Sequence, residues 1–383
     1  MAQVVMLLAN PFRPDPRVAR EAEALAAQGH RVTIIAWDRQ KELAAEEEHP
    51  AARILRVQNI PSVYGGGWRQ LFYTPRFWRQ AVRLALEMQP DVVHCHDLDT
   101  LYAGWQIKGR TACRLVFDAH EDYPALMSLY LPAPLVWALS RWERFLLGRV
   151  DHTLTASSVF ADKLVSKQVS PVTTIGNYAS LEPFQRLTEK KILEARAPLG
   201  IDPQKLVVAY IGGFSRNREL LPLLKAARDL PQVEFLLWGD GHQRQAVEAA
   251  VRGLSNARYL GWLPAEQVPL YTKMADVIYY CLVSEYPGAK YNAPNTLSNA
   301  MAAGRPLIAN DVGDLGRILR ETGAGLLLPQ VTAQNIRTAI ERLRDPETRR
   351  RLGRAGLKAA QELYNWEAAS QKLIQIYADL TPQ

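Results

Sequence analysis

Short, continuous apolar runs recur along this chain with amphipathic helical stretches between them. They fall at residues 4–9, 32–36, 54–57, 92–95, 115–118, 152–155 and 172–175, and again at 206–211, 233–238, 257–260, 277–282, 307–309 and 325–328. A strand that is apolar on both faces must be covered on both faces, and a helix between successive strands carries the chain back to start the next one in parallel. The pattern therefore predicts α/β architecture with parallel sheets, with helices such as 18–28, closed by Gly29, and 220–229 packed against them. A length of 383 residues exceeds one ordinary core and suits two. The polar, helix-prone segment 180–203 carries no strand pattern and separates the two alternating blocks. It sets an expected first domain at 1–180, a linker with a second domain at 181–360, and a C-terminal segment at 361–383. Two Rossmann-like domains facing across a cleft follow, with the cleft as the expected ligand position.

Composition excludes several classes. With 48% hydrophobic and 22% charged residues the chain reads as soluble and globular, and no apolar run reaches the roughly 18 to 20 residues of a membrane span. Met1-Ala2-Gln3 leads directly into a strand-like run without a basic leader, so the expected location is the cytoplasm. Cys95, Cys113 and Cys281 are odd in number, far apart and mostly inside apolar runs. They are expected to be reduced core residues, not a disulfide frame or a zinc site. The net charge of +7 is spread over both halves. That is too thin for a nucleic-acid footprint, but it suits an anionic nucleotide or an anionic membrane surface.

One stretch points to a ligand. Asn292 to Gly304 reads as a turn that opens a short helix, with Asn295 as N-cap, Gly304 as stop and Arg305-Pro306 leading into the next strand. The amides of Thr296, Leu297 and Ser298 would then point out of a helix N-terminus at the carboxyl edge of a parallel sheet, where the partial positive charge suits a diphosphate. Helix starts of this kind also occur where nothing binds, so the segment alone leaves both readings open.

Its neighbours add to it. Asp15-Pro16-Arg17-Val18 precedes Gln28-Gly29-His30-Arg31-Val32-Thr33, then come Pro90-Asp91-Val92-Val93-His94-Cys95-His96-Asp97 and Phe117-Asp118-Ala119-His120-Glu121. In the second half stand Tyr210-Ile211-Gly212-Gly213, Gly239-Asp240-Gly241 and the run from Ala293 to Gly304. In number, order and spacing these motifs resemble glycosyltransferase family 4, of the GT-B fold, over nearly the whole chain. The resemblance implies a retaining glycosyltransferase that takes a sugar from a nucleotide diphosphate donor held mainly by the second domain. The acceptor, a glycan, a lipid-linked sugar or a small molecule, would be held mainly by the first. It implies no cofactor and no metal, and a C-terminal helix near 366–377 that packs back on the first domain.

Carried residue by residue, the resemblance places the donor phosphates at Gly212, Gly213, Asn295, Thr296 and Leu297. Arg218 stands where similar proteins have a phosphate-binding lysine, with Arg216 as its nearest competitor. Base recognition falls on the backbone around Leu260, in the segment from Arg258 to Trp262, with uridine preferred and guanosine next. The family's two donor-site glutamates, eight positions apart, fall here on Asn299 and on or near Tyr291. Both carboxylates are missing, and Glu285 is wrongly spaced to replace them. On the acceptor side the resemblance gives His120 as the catalytic-site histidine, with His96, Asp97 and Glu121 beside it. His120 would position the reacting sugar while a diphosphate oxygen takes the acceptor's proton, so no protein nucleophile is needed. Asp97-Leu98-Asp99 mimics a metal-binding pair of a different fold, and His94 with His96 a zinc site. Both are discounted, with His94 expected to point into the sheet.

Gly65-Gly66-Gly67 is followed by Trp68, Arg69, Phe72, Tyr73, Arg76, Phe77, Trp78, Arg79 and Arg83 with no acid among them, and Thr74-Pro75 looks like a helix start. Arginines among aromatics suit an interface with anionic lipid, which 137–147 would extend, and core aromatics with solvated arginines explain the same letters. Two further functional readings stand beside the transferase. One is a non-catalytic relative that binds a nucleotide sugar or a partner; the other is a sugar-nucleotide epimerase, for which His242 and Glu285 are poor acid/base candidates.

Overall fold

The computed structural model describes residues 1–13, 15–62, 70–169, 171–202 and 204–381. It divides into two units, Met1–Gly176 with the described part of Ala369–Gln383, and Asn177–Ala368. The changes of unit at 176 and 368 compare with 180 and 360 read from the sequence.

The first unit holds an eight-stranded sheet. Its strands are β1 (Gln3–Leu8), β2 (Arg31–Trp37), β3 (Glu46–His49), β4 (Ala52–Val57), β5 (Val92–His96), β6 (Arg114–Ala119), β7 (His152–Thr155) and β8 (Val172–Thr174), in the order β3-β4-β2-β1-β5-β6-β7-β8. Neighbours pair in parallel, except that β3 runs antiparallel to β4. The apolar pattern does not foresee β3, because its sequence is Glu-Glu-Glu-His and it lies exposed at the sheet edge. It is held by backbone pairing and by Arg53 to Glu46 at 3.0 Å and Arg56 to Glu47 at 2.8 Å.

Five helices of this unit matter for the site and its surroundings: α1 (Pro16–Ala27), α2 (Gln70–Glu87), α3 (Leu98–Lys108), α4 (Tyr123–Met127) and α5 (Ala133–Leu147). Asp15 caps α1 by accepting the Val18 N–H, and Pro16 occupies the first turn, where its missing N–H costs nothing. The face α1 buries is Arg17, Val18, Glu21, Ala22 and Leu25, so two charges lie on it. Pro75 corrects the expectation of a helix start at Thr74-Pro75: α2 begins at Gln70 and carries Pro75 inside it. Gly65, Gly66, Gly67, Trp68 and Arg69 lie outside the described residues. The C-terminal helix Trp366–Leu380 buries Leu373, Ile376 and Tyr377. The Tyr377 hydroxyl lies 2.9 Å from Nδ1 of His94 in β5, so this helix closes one face of the first sheet.

The second unit holds a six-stranded, all-parallel sheet with the order β11-β10-β9-β12-β13-β14. The strands are β9 (Leu206–Ile211), β10 (Val233–Trp238), β11 (Ala257–Tyr259), β12 (Val277–Tyr279), β13 (Leu307–Asn310) and β14 (Gly325–Leu328). Val207, Val208, Phe235, Leu236, Ile278 and Leu307 have no exposed surface, as helices on both faces require. All three cysteines are buried and free. Among the described residues no helix is long and apolar enough to cross a membrane.

Candidate active site

Ligands of parallel α/β sheets gather at the carboxyl ends of the strands. In the first unit β5 and β6 deliver His94, His96, Asp97, Asp118 and His120 to that edge, and strand alternation sets His94 and His96 on one face, with ring centroids 4.3 Å apart. Against them α1 presents Arg17. Its Nε and Nη2 donate to the two oxygens of Asp118 at 2.6 and 2.7 Å, and Nη1 donates to the Ile175 carbonyl at 2.7 Å. Glu21 Oε1 lies 3.2 Å from Nη2. Arg17, Glu21 and Asp118 are all buried. Burial opposes the charge on Asp118, yet Arg17 and His120 hold its carboxyl well below the usual range. Burial, then the nearby Asp118, push Glu21 up to about 7 even though Arg17 pulls the other way.

His120 sits in front of this buried pair. Its Nε2 is 2.9 Å from Asp118 Oδ2 and 3.3 Å from His96 Nδ1, its Nδ1 is 3.4 Å from Asp97 Oδ2, and its backbone N–H donates to Asp97 Oδ1 at 3.2 Å. The side chain is 23% exposed. Burial disfavours the imidazolium, but Asp97 and Asp118 together outweigh it and hold His120 up at about 10. The two carboxylates favour the imidazolium, the form in which both ring nitrogens donate hydrogen bonds. Asp97 adopts φ 63° and ψ 162°, a conformation that costs a non-glycine residue on the order of 1–3 kcal/mol. It is kept there by its own N–H donating to the Asp118 carbonyl at 3.0 Å and by its grip on His120.

His94 is fully buried, as expected for a side chain pointing into the sheet. Donor atoms of Glu21, His94, His96 and Asp118 lie within 4.8 Å of one another, the spacing of a cation site. The Arg17 guanidinium already stands between Glu21 and Asp118 and supplies positive charge there. Glu121, beside His120, is exposed. Arg17, Glu21 and Asp118 carry no role in the sequence reading, and Glu21 lies outside the motifs quoted there. The signal for the first two was present, since an arginine and a glutamate four apart share the face of α1 that carries Val18, Ala22 and Leu25.

In the second unit the carboxyl ends of β9 and β10 meet at glycines. The Gly212 N–H donates to the Trp238 carbonyl at 3.0 Å, and a Cβ on Gly239 would stand 1.9 Å from the Gly212 carbonyl oxygen, so no larger residue fits there. The Tyr210 hydroxyl donates to the Gly213 carbonyl at 2.7 Å and its ring stacks parallel to that of Tyr280. The Arg218 guanidinium lies 4.9 Å over Tyr280, with Nη1 donating to Asn217 Oδ1 at 2.7 Å and Nε without a hydrogen-bond partner among the described residues. Arg216 is exposed. Of the two arginines, Arg218 is the one fixed beside the glycine turn.

The helix Asn295–Ala302 differs from expectation in two respects. Asn295 is its first helical residue, Pro294 holds the cap position, and no side chain caps it. Leu297 does not offer a free amide, because its N–H donates to the Pro294 carbonyl at 3.2 Å. With proline at the cap no side chain accepts this N–H, which closes a tight first turn on the cap carbonyl instead. Thr296 fixes the helix to the sheet, its hydroxyl donating to the carbonyl of Ile211 at the end of β9 at 3.0 Å, so the helix start and the Gly212-Gly213 turn are adjacent. Ser298 accepts the Ala179 N–H at 2.6 Å. Asn299 is half-buried and Tyr291 is buried. The Leu260 N–H donates to the Leu237 carbonyl at 2.9 Å, so the ladder already occupies that donor, and Arg258 is paired with Glu234 at 2.8 Å.

Residues 17–182 match the model of Glycosyltransferase Family 4, and residues 205–345 match that of Glycosyl transferases group 1. The chain belongs to the GT-B glycosyltransferases of the family 4 type. Alpha-D-kanosaminyltransferase of Streptomyces kanamyceticus is 24% identical over 67% of this chain and 74% of its own length. Phosphatidyl-myo-inositol mannosyltransferase of Mycobacterium leprae is 23% identical over 96% of this chain and 93% of its own. Among solved structures, sucrose-phosphate synthase from Thermosynechococcus elongatus superimposes with a TM-score of 0.83 at 23% identity, covering 99% of both chains. The UDP-glucose complex of Anabaena HepE superimposes with a TM-score of 0.76 at 16% identity, covering 99% of this chain and 100% of that one. These likenesses give the family 4-type chain its fold, two Rossmann-like parallel-sheet domains.

Proposed function

We propose that this chain is a retaining, metal-independent glycosyltransferase that moves a sugar from a nucleotide diphosphate donor, UDP-sugar before GDP-sugar, to a glycan, lipid-linked or small-molecule acceptor. The observation that carries the proposal is His120, part-exposed and held by Asp118 and Asp97 at the carboxyl edge of the first sheet, where the two carboxylates favour its charged form. A charged imidazole steadies the reacting sugar by donation, and the acceptor's proton passes to a diphosphate oxygen. In the second unit Gly212, Gly213, Arg218 and the start of Asn295–Ala302 take the diphosphate, with Arg218 supplying the cation that a metal supplies elsewhere. The name of the mannosyltransferase that this chain resembles over nearly its full length specifies a phosphatidyl-inositol acceptor, and HepE is described with UDP-glucose. The second supports a nucleotide-sugar donor, and the first supports an amphiphilic acceptor. Nucleoside diphosphate release from UDP- and GDP-sugars, with chelator present, tests the reading.

A second reading is favoured by Asn299 and Tyr291, which stand where the family carries glutamates. It holds that the site binds a nucleotide sugar without turning it over. Tight nucleotide binding with no release from any donor, whatever the acceptor, would support it and overturn the first.

A further inference from the structure

Between Asp122 and Arg141 the chain carries no charged residue, and the structure turns much of that stretch outward. It spans α4, a short connection and the first half of α5. Leu129, Tyr130, Leu135 and Trp137 are 42%, 66%, 53% and 68% exposed, far more than core residues of their size. Pro132, Ala133, Pro134 and Ala138 beside them are also exposed. A contiguous apolar surface of this kind marks a docking site.

The charges around it name the occupant. Arg141 and Arg144 are exposed on the following turns of α5. The acids of the same segment are withdrawn: Glu143 is buried with Lys167 Nζ 3.3 Å away, and Asp122 is buried against Lys163. The basic rim continues onto α2, where Arg76 and Arg79 are exposed beside the exposed Phe72, while Arg83 is paired with Glu87 at 3.6 Å, and Trp78 of α2 reaches Trp142 of α5 with ring centroids 6.0 Å apart. Leucine, tyrosine and tryptophan rimmed by arginine match a bilayer interface, with aromatic rings at headgroup depth and guanidinium groups on anionic headgroups.

We propose that the α4–α5 segment is a membrane-docking element that enters the interface of a bilayer rich in anionic phospholipid. It deepens the proposed function by assigning a lipid-borne acceptor class, and rests on that reading for its purpose but not for the binding itself.

The test is flotation of the whole protein with vesicles of phosphatidylcholine alone or mixed with phosphatidylglycerol. Three proteins are compared: wild type, Leu135→Ser with Trp137→Ser, and Arg141→Gln with Arg144→Gln. Melting temperature and UDP affinity serve as controls for the fold. Wild type is expected on the anionic vesicles only, released by salt. The apolar double variant should lose binding about tenfold or more, and the arginine variant its anionic preference. Failure to float with either vesicle overturns the proposal. So does unchanged flotation of the variants, or a wild-type dimer that the apolar variant dissociates. Flotation without nucleotide binding would count against the transferase reading and leave this one standing.

Discussion

Arg17 on α1 grips both oxygens of Asp118 on β6, at 2.6 and 2.7 Å, with both side chains buried. Asp118 in turn holds His120 at 2.9 Å. One guanidinium therefore sets, through an aspartate 101 positions along the chain, the position of the histidine proposed to face the reacting sugar. The relationship predicts that stability and activity fail together at this point. Arg17→Ala leaves Asp118 buried without its main partner and should lower stability by about 3–5 kcal/mol, measured by urea unfolding. Arg17→Met combined with Asp118→Leu should cost less than Arg17→Ala alone, because the buried Asp118 carboxylate is no longer stranded. A double variant less stable than the single one would refute the account of the pair.

His120→Ala should leave nucleotide affinity unchanged and lower kcat by about a hundredfold or more. A change in UDP affinity with kcat intact would reverse the assignment of His120 to the reacting sugar.

The raised value of His120 also has a sign in stability. The folded chain holds this proton up to about 10 against an ordinary value of 6.5, so between those values it binds more protons than the unfolded chain. Its stabilisation is fully present below 6.5 and is lost as pH rises through about 10. The urea midpoint of wild type should therefore decline from pH 7 to 10 more steeply than that of His120→Asn. Parallel declines would show that the imidazolium is not held as described.

Arg218 and Arg216 separate by geometry. Arg218 is fixed over Tyr280, so Arg218→Ala should weaken UDP binding by about 10- to 100-fold, the loss of one charged hydrogen-bond partner. Arg216→Ala, at an exposed position, should stay within about twofold. Calorimetric titration reads both, and the opposite ranking would move the phosphate to Arg216.

Asn299→Glu restores one carboxylate of the family pattern. A charged acceptor is about twice as strong as a neutral one, so donor affinity should rise a few-fold, about 1 kcal/mol. No gain would mean that Asn299 does not reach the donor.

The sheets were legible because residues such as Val207, Val208 and Ile278 are apolar in unbroken runs, which only a doubly covered parallel strand demands. Strand β3 was not, because an edge strand of glutamates needs no buried side chain. His120 and Arg218 were legible through motif order. The Arg17–Asp118 pair was not, because it depends on which helix packs on which strand, information spread over 101 positions. The occupied Leu297 amide was equally hidden, since it follows from a proline held at the cap. Of the exposed segment after Asp122, the sequence pointed only to 137–147 as part of a lipid interface, because an apolar run does not itself show which of its residues face outward.

The most direct measurement is titration of the protein with UDP and GDP in the presence of a chelator, alongside Arg218→Ala. Saturable binding that survives chelation and weakens at least tenfold in the variant is predicted. Binding that needs a divalent ion, or that ignores the loss of Arg218, would contradict a diphosphate held by glycine backbone, helix start and guanidinium alone.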